Sequence, residues 1–245
     1  MKKQYLGDVR DLFKYDLIQQ ILTGRKASRE FAFIPMLTEN KRNSKDGNKR
    51  DFVQAKQKSR PGTNNAPLIK VLEKYKEMDE NNRDFREIGL HFKSNGIEMV
   101  LYEGDYFDRR TGDVGYFKNI PKRILRAPLV FIDPDNGLQI KDSTEKHLLF
   151  SEAKYIYDHM DRDSVLMIYQ HFPRARRKHK EYLPKGRSNK LEKELGTLPV
   201  FITDNEIIFF LLTRSDRIRG QIGGIITRYK KDYQDYPTLE IGGAV

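Results

Sequence analysis

The chain has 245 residues, of which 38% are hydrophobic and 33% charged, and 46 Lys and Arg against 35 Asp and Glu give a formal net charge of +11. It contains no cysteine, which excludes disulfide frameworks, zinc–thiolate sites and thiol nucleophiles. The basic balance favours nucleic acid as a partner, because Lys and Arg that hold phosphates release condensed counterions. We expect a cytoplasmic protein with no membrane association, since the sequence shows neither the long apolar run of a spanning helix nor a secretory signal.

The first part of the chain predicts a helix, a strand and a long polar stretch. Apolar residues at three- and four-residue spacing predict an amphipathic helix over residues 8–24, with Gly24 at its end. Residues 29–37 are dense in aromatic and branched side chains and predict a short strand. The polar residues 38–67 that follow predict a loop that is functional or mobile.

Helices and strands then alternate. Helical patterns occupy residues 67–78 and 84–96, and strand patterns occupy 97–107 and 126–137. The last of these is so apolar that it is typical of a parallel strand covered on both faces.

The last part of the chain predicts a helix over 151–163 with Ser151 as its N-cap, and then an apolar strand over 164–172. Residues 198–203 and 206–214 predict an antiparallel hairpin. The whole pattern predicts an α/β fold, a three-layer sandwich with a C-terminal antiparallel hairpin, formed as a single domain over residues 1–245.

Polar residues follow four of the predicted strands where each strand ends. In an open α/β sheet, ligands bind outside the carboxyl ends of the strands, so we expect these residues to share one cleft. They are Thr38, Glu39 and Asn40, then Asp105, then Asp133, Pro134, Asp135 and Asn136, and finally Gln170 and His171.

The segment "DPDNG" at residues 133–137 is the most informative of these strand ends. Asp, Asn and Gly are common turn formers, but a turn alone does not require two carboxylates around a proline. A carboxylate at the end of a buried strand needs partners, which favours a functional role for Asp133. His171 is a candidate base, with a structural histidine as the alternative.

The N-terminal pattern Gly7-Asp8-x-x-Asp11-x-x-Lys14 and the later "DPDN" carry a family resemblance. The chain resembles class I S-adenosylmethionine-dependent methyltransferases, in particular the ribosomal RNA adenine methyltransferases that carry this N-terminal pattern. It is also similar to a family of functionally uncharacterised bacterial proteins with "GD..D..KY", "DPDNGL" and "YQH..R" in this order.

The resemblance implies a Rossmann-like methyltransferase fold, an S-adenosylmethionine cofactor and a nucleic-acid substrate. Catalytic candidates are then Asp133, Pro134, Asp135, Asn136, His171 and Lys14, with Asp133 accepting a hydrogen bond from an exocyclic amine of a flipped base. Donor-binding candidates are Gly7, Asp8, Glu39, Asn40 and Asp105. The chain departs from the family where Asp135 and Asn136 replace a proline and an aromatic residue, and where no glycine-rich turn follows the first strand.

Two of these residues have simpler interpretations. Asp8 is also suited to be a helix N-cap. Lys14 is also suited to form an exposed ion pair with Asp11 at helical spacing.

Residues 174–193 contain nine Lys and Arg against two Glu. This charge predicts contacts with phosphates, and a solvated loop is the alternative. The nucleic-acid-binding candidates are Arg174, Arg176, Arg177 and Lys178.

Two other functions remain open. One is a Mg²⁺-dependent nuclease or phosphotransferase that uses Asp133, Asp135 and Asp105, with His171 as base. The other is a nucleic-acid-binding protein without catalysis.

Overall fold

A mixed β-sheet organises the computed structural model, which describes residues 1–25, 29–39, 49–102, 107, 114–172 and 179–243. The helices of these residues are α1 Val9–Gly24, α2 Phe52–Gln57, α3 Ala66–Glu77, α4 Arg86–Ser94, α5 Val114–Lys118, α6 Lys122–Leu125, α7 Phe150–His159, α8 Pro184–Leu195 and α9 Asp216–Asp232. The strands are β1 Glu30–Ile34, β2 Glu98–Leu101, β3 Leu129–Ile132, β4 Gly137–Leu138, β5 His147–Leu148, β6 Val165–His171, β7 Val200–Thr203, β8 Ile207–Leu212 and β9 Glu240–Gly242. Short 3-10 helices lie at Lys3–Tyr5 and Lys180–Tyr182.

The main sheet has seven strands in the order β2-β1-β3-β6-β8-β7-β9. Strands β2, β1, β3 and β6 pair in parallel, whereas β8 is antiparallel to both β6 and β7, and β7 is antiparallel to β9. The predicted α/β class and the β7–β8 hairpin are therefore confirmed. The hairpin turn passes through Asn205, whose φ of 64° is one that Asn tolerates better than most residues.

Each face of the sheet carries its own hydrophobic cluster. Phe31 and Phe33 of β1 pack with side chains from α1–α4 and α9 on one face, and Ala32 and Ile34 pack with α5–α8 on the other. Since successive side chains of a strand point to opposite faces, a strand covered on both sides must be apolar throughout. This explains why β3 reads as an uninterrupted apolar run.

The side on which the chain adds its next strand changes at β1. From β1 the chain continues to β2 on one side, and it later returns to β3 on the other side of β1. Such a reversal leaves a crevice at the carboxyl ends of the two flanking strands, which is the preferred ligand position in open α/β sheets. In this chain that crevice lies between the ends of β1 and β3.

Several sequence-based boundaries were wrong. Helix α7 begins at Phe150, so Ser151 is not its N-cap; instead the Glu152 side chain accepts a hydrogen bond from the Leu149 N–H. The predicted polar loop contains α2, which Asp51 caps. The hairpin is followed by α9 and β9 and is not the last element.

No helix among the described residues is long and apolar enough to cross a membrane.

We predict that Phe131→Ala lowers the free energy of unfolding by about 3–5 kcal/mol, the usual cost of a large cavity in a core. Phe131 is fully buried on β3, and its ring stacks on Phe33 at 5.2 Å between centroids. Urea denaturation followed by circular dichroism measures the loss. Val53→Ala on α2 is the control, because Val53 is 69% exposed, and we expect it to change stability by about 0.5 kcal/mol or less. Equal losses would contradict the assigned core.

Candidate functional site

Asp133 continues β3 into the crevice between β1 and β3. Its N–H donates to the Ile34 carbonyl at 3.0 Å, and only 2% of the residue is exposed. Its Oδ2 accepts a hydrogen bond from Lys14 Nζ at 2.7 Å, and the same Nζ donates to Asp11 Oδ1 at 2.7 Å. Lys14 therefore points into the protein, as expected for a residue of the site and not for an exposed ion pair. It also pairs with Asp11, but the pair is buried and not exposed to solvent.

The start of α1 is shaped to deliver Lys14 to this position. Asp8 is the N-cap, and its side chain accepts from the Arg10 N–H at 2.9 Å. Gly7 has a φ of 83°, and its N–H donates to Asp11 Oδ2 at 2.9 Å. A Cβ at Gly7 would lie 2.6 Å from Tyr75 Cβ, so only glycine fits. In the structure, the contacts of Gly7 and Asp8 organise the helix terminus, and neither residue lines the pocket described below.

Charge and aromatic rings surround the Lys14 ammonium. The rings of Tyr15 and Tyr169 each lie 5.4 Å from Nζ, within the range of a cation–π contact. Burial alone would lower the pKa of Lys14, but the carboxylates of Asp11 and Asp133 raise it above its ordinary value. Burial raises the pKa of Asp133, and the attraction of Lys14 opposes that rise. Lys14 is therefore held as a cation.

The rest of the loop is tied to other elements. The Asn136 N–H donates to the Lys146 carbonyl at 2.8 Å, and its carbonyl accepts from Gln170 Nε2 at 3.3 Å. Gln170 Oε1 accepts from the Leu138 N–H at 2.8 Å. The Asp135 carboxylate lies 3.4 Å from the Thr38 hydroxyl that donates to it. Asp135 is half-buried and Asn136 is exposed.

His171 ends β6 beside the buried cluster. Its Nδ1 lies 3.1 Å from the Tyr169 hydroxyl, and the Tyr169 ring is one of the two that contact Lys14. Burial raises the pKa of Tyr169, which keeps the hydroxyl protonated. His171 is thus connected to the Asp133 cluster through one ring.

The N-terminal residues bridge the two sides of the crevice. The Met1 amino group donates to the carbonyls of Pro35, Met36 and Asp133 at 3.0, 2.7 and 3.1 Å. Met36 has a φ of 44°, which is uncommon for a residue other than glycine and marks local strain. The segment after β1 and the segment after β3 are therefore held in one arrangement.

A pocket of about 290 Å³ adjoins the crevice at the carboxyl ends of β1 and β2. Its wall is mainly apolar and aromatic and consists of Pro35, Leu37, Phe85, Met99, Leu101 and Tyr102. Lys3, Asp84 and Arg86 add charge, and Gly89 of α4 presents no side chain. This combination of apolar walls and a few polar groups is typical of small-molecule sites.

Sequence reasoning missed most of this pocket. Phe85, Arg86 and Gly89 belong to the start of α4 or precede it, and they look like ordinary residues of an amphipathic helix. The one indication of a binding role in the sequence is that these residues come shortly before β2.

Other predicted site residues are not brought together with the cluster. The Glu39 carbonyl accepts a hydrogen bond from Lys2 Nζ, and its side chain is exposed. Six further candidates lie outside the described residues and stay predictions: Asn40, Asp105, Arg174, Arg176, Arg177 and Lys178.

Within the part of the chain that the structure describes, no group of three or more His, Asp or Glu side chains is arranged to hold a metal ion. A scan against protein-family models and a search of curated proteins both find no match to this chain.

We predict that Lys14→Met lowers the free energy of unfolding by about 3–5 kcal/mol at pH 7, because it leaves buried carboxylates without their cation. A buried carboxyl without a cation has a folded-state pKa above its unfolded value. The penalty is therefore present above the folded-state pKa, and it shrinks as the pH falls towards the unfolded value of about 3.9. Denaturation between pH 7 and about pH 5 measures this change.

The control for Lys14→Met is Lys154→Met, which removes a half-exposed ion pair with Asp158 on α7. We expect a cost of about 1 kcal/mol or less. A Lys14→Met variant with the same small loss would show that the buried pair contributes little.

We predict that Gly137→Ala destabilises the protein more than Gly196→Ala does. Both glycines have positive φ, 95° and 75°, so both substitutions incur the left-handed cost of about 1–2 kcal/mol. A Cβ at Gly137 would also lie 2.5 Å from the Gln170 side chain, whereas nothing lies within 4 Å of one at Gly196. Overpacking should add about 1–3 kcal/mol at Gly137, as thermal unfolding would detect. Adding Gln170→Ala should remove part of that excess, and equal effects at both glycines would refute the contact.

Proposed function

We propose that this protein is an S-adenosylmethionine-dependent methyltransferase that acts on nucleic acid, with an exocyclic base amine as acceptor. One observation carries the proposal. The pocket at the ends of β1 and β2 lies directly beside the crevice that contains the Asp133–Asn136 loop. A donor and an acceptor held in these two places would be neighbours, and such proximity is a large part of catalysis between two substrates.

Hydrogen bonds support this adjacency. Pro35 and Leu37 line the pocket, and the Met36 carbonyl between them accepts from the same amino group that donates to the Asp133 carbonyl. The hydroxyl of Thr38 contacts Asp135. The pocket wall and the loop therefore belong to one connected structure.

The residues of the pocket suit the methyl donor. The rings of Phe85 and Tyr102 and the neighbouring apolar side chains offer a surface for an adenine. Lys3 and Arg86 offer cations to a carboxylate, and Asp84 offers an acceptor to hydroxyl or amino groups. Gly89 allows close approach to α4, a task that a glycine-rich turn performs in the resembled family. The bound donor would supply an activated methyl group.

On the acceptor side, the geometry favours Asp135 and Asn136 over Asp133 for contact with the target amine. Asp133 Oδ2 is already occupied by Lys14, and the residue is buried. Asp135 is half-buried and Asn136 is exposed, so a carboxylate and an amide oxygen are accessible and can each accept from an amine. Asp133 and Lys14 then position the loop. His171 remains the candidate to accept the proton that the amine releases.

The fold is consistent with this proposal. The parallel core, the reversal of the chain at β1 and β3 and the antiparallel C-terminal strands agree with a Rossmann-like methyltransferase arrangement. Since a fold by itself does not establish an activity, the proposal rests on the pocket and the loop.

A Mg²⁺-dependent nuclease has less support from the geometry. Its main predicted ligand, Asp133, is paired with a buried ammonium, which repels a second cation. A nucleic-acid-binding protein without catalysis is the remaining alternative.

We predict that calorimetry detects S-adenosylmethionine binding by the wild type and that Gly89→Phe weakens it at least about tenfold, since each tenfold is 1.4 kcal/mol. A Cβ at Gly89 would lie 3.0 Å from the Met99 methyl group, so a Phe there fills the pocket. Leu90→Phe is the control on the same helix, because Leu90 is 51% exposed. It should bind the donor as the wild type does.

Transfer of a labelled methyl group to RNA and to DNA tests the activity. Asp135→Ala should reduce transfer while leaving donor binding unchanged. No donor binding by the wild type would refute the proposal. Donor binding with no transfer would favour a non-catalytic binding protein, and metal-dependent cleavage would favour the nuclease.

A further inference from the structure

Three cations from separate chain segments converge on the carboxylate of Glu206. Arg10 Nε and Lys49 Nζ lie 3.3 and 3.2 Å from Oε2, and an Arg60 terminal nitrogen lies 3.3 Å from Oε1. Arg10 comes from α1, Lys49 precedes α2, and Arg60 follows α2. Glu206 itself stands in the turn between β7 and β8, and 23% of its side chain is exposed.

This cluster adjoins the candidate site. The Phe172 N–H donates to the Glu206 carbonyl at 2.8 Å, and His171 pairs with Ile207 across β6 and β8. Glu206 is thus next to the end of β6, which His171 forms. The basic residues that the sequence predicts to contact nucleic acid begin two positions after Phe172.

The electrostatic state of Glu206 reflects its neighbours. Burial alone would raise its pKa, but Arg60, Lys49 and Arg10 lower it to about 2. Two further carboxylates pair with two of these cations. Asp204 lies 3.0 Å from Arg60, and Asp8 lies 3.9 Å from Arg10. Lys49 has a side chain that is 45% exposed, so it can turn towards a ligand without leaving a buried position.

We propose that the Glu206 carboxylate occupies a phosphate-binding position, and that Arg10, Lys49 and Arg60 bind a phosphodiester of the nucleic acid when the target enters the crevice. A carboxylate and a phosphate both present oxygen pairs that Arg and Lys bind through charge-assisted hydrogen bonds. The position beside the β6 end is where the backbone of a strand feeding a base to the loop would pass. This inference rests on the proposed action on nucleic acid, and it identifies part of the surface that holds the substrate.

Glu206 then acts as an internal competitor. Without nucleic acid it forms ion pairs with all three cations and so joins α1, the segment around α2 and the hairpin. With nucleic acid, phosphate takes its place. A purely structural ion cluster would hold the same contacts and give no such competition.

The test is the affinity for a fluorescently labelled single-stranded RNA or DNA oligonucleotide, measured by anisotropy over a range of salt concentrations. Glu206→Gln should bind about three- to tenfold more tightly near 0.1 M salt, and its log–log salt slope should steepen by about 0.7 for one added phosphate contact. Asp158→Asn is the matched control, since it removes the same charge from an exposed ion pair on α7. It should stay within about twofold of the wild type, because α7 packs on the face of the sheet opposite α1 and salt screens charges between separate exposed sites.

Equal affinities of Glu206→Gln and Asp158→Asn would overturn the inference, as would weaker binding by Glu206→Gln. If Glu206→Gln fails to fold, Lys49→Gln replaces it, with Lys58→Gln as the control at another exposed lysine near α2. Lys49→Gln should weaken binding several-fold and Lys58→Gln should not. Equal effects of these two substitutions would also overturn it.

The measurement is independent of the methyl donor. Tighter binding by Glu206→Gln without any S-adenosylmethionine binding would refute the proposed methyl transfer and leave the phosphate position standing. Donor binding without that gain would refute only the phosphate position.

Discussion

The buried ammonium of Lys14 is the interaction on which the rest of the site depends. It joins Asp11 of α1 to Asp133 at the end of β3, and so links a helix of one layer to an interior strand of the sheet. Taking such charges out of water costs several kcal/mol per ion, which is recovered only where the geometry satisfies each group. Here two carboxylates, the Gly7 N–H and two aromatic rings supply those contacts. The N-terminal glycine, the aspartates and the lysine therefore form one unit with the loop after β3.

The polar side chains of the loop after β3 differ in how deeply they are buried. Asp133 is buried and bonded to Lys14, whereas Asp135 is half-buried and Asn136 is exposed. The Gln170 side chain of β6 bonds to the backbone of this loop, and the Thr38 hydroxyl in the segment after β1 donates to Asp135. Exposed polar groups on a loop that rigid elements hold in place are a common basis for binding and catalysis. In the proposed reaction, the adjoining pocket would hold the second substrate.

Several basic side chains near the end of β6 are also paired with carboxylates. The chain carries a net charge of +11, yet several cations beside the crevice are already paired with Asp8, Asp204 and Glu206. These ion pairs join α1, the segment around α2 and the β7–β8 hairpin. Three of the basic residues therefore have a structural role beside the end of β6.

The sequence by itself determined the α/β class, helix α1, the apolar strands β3 and β6 and the β7–β8 hairpin, because each follows from local periodicity and turn chemistry. It also predicted that the loop at Asp133–Asn136 and Gln170 lie together, because parallel strands bring their carboxyl ends to one edge, whereas the inclusion of Lys14 rested on the family resemblance. Helices α8 and α9 were missed: a lysine-rich segment and a glycine-containing one resemble loops until their apolar faces meet the sheet. Only the tertiary structure decided that Asp133 is bonded to Lys14, that Asp135 and Asn136 are more exposed than Asp133, and that Phe85, Gly89 and Tyr102 line a pocket. These depend on contacts between residues far apart in the chain, and local sequence patterns do not contain that information.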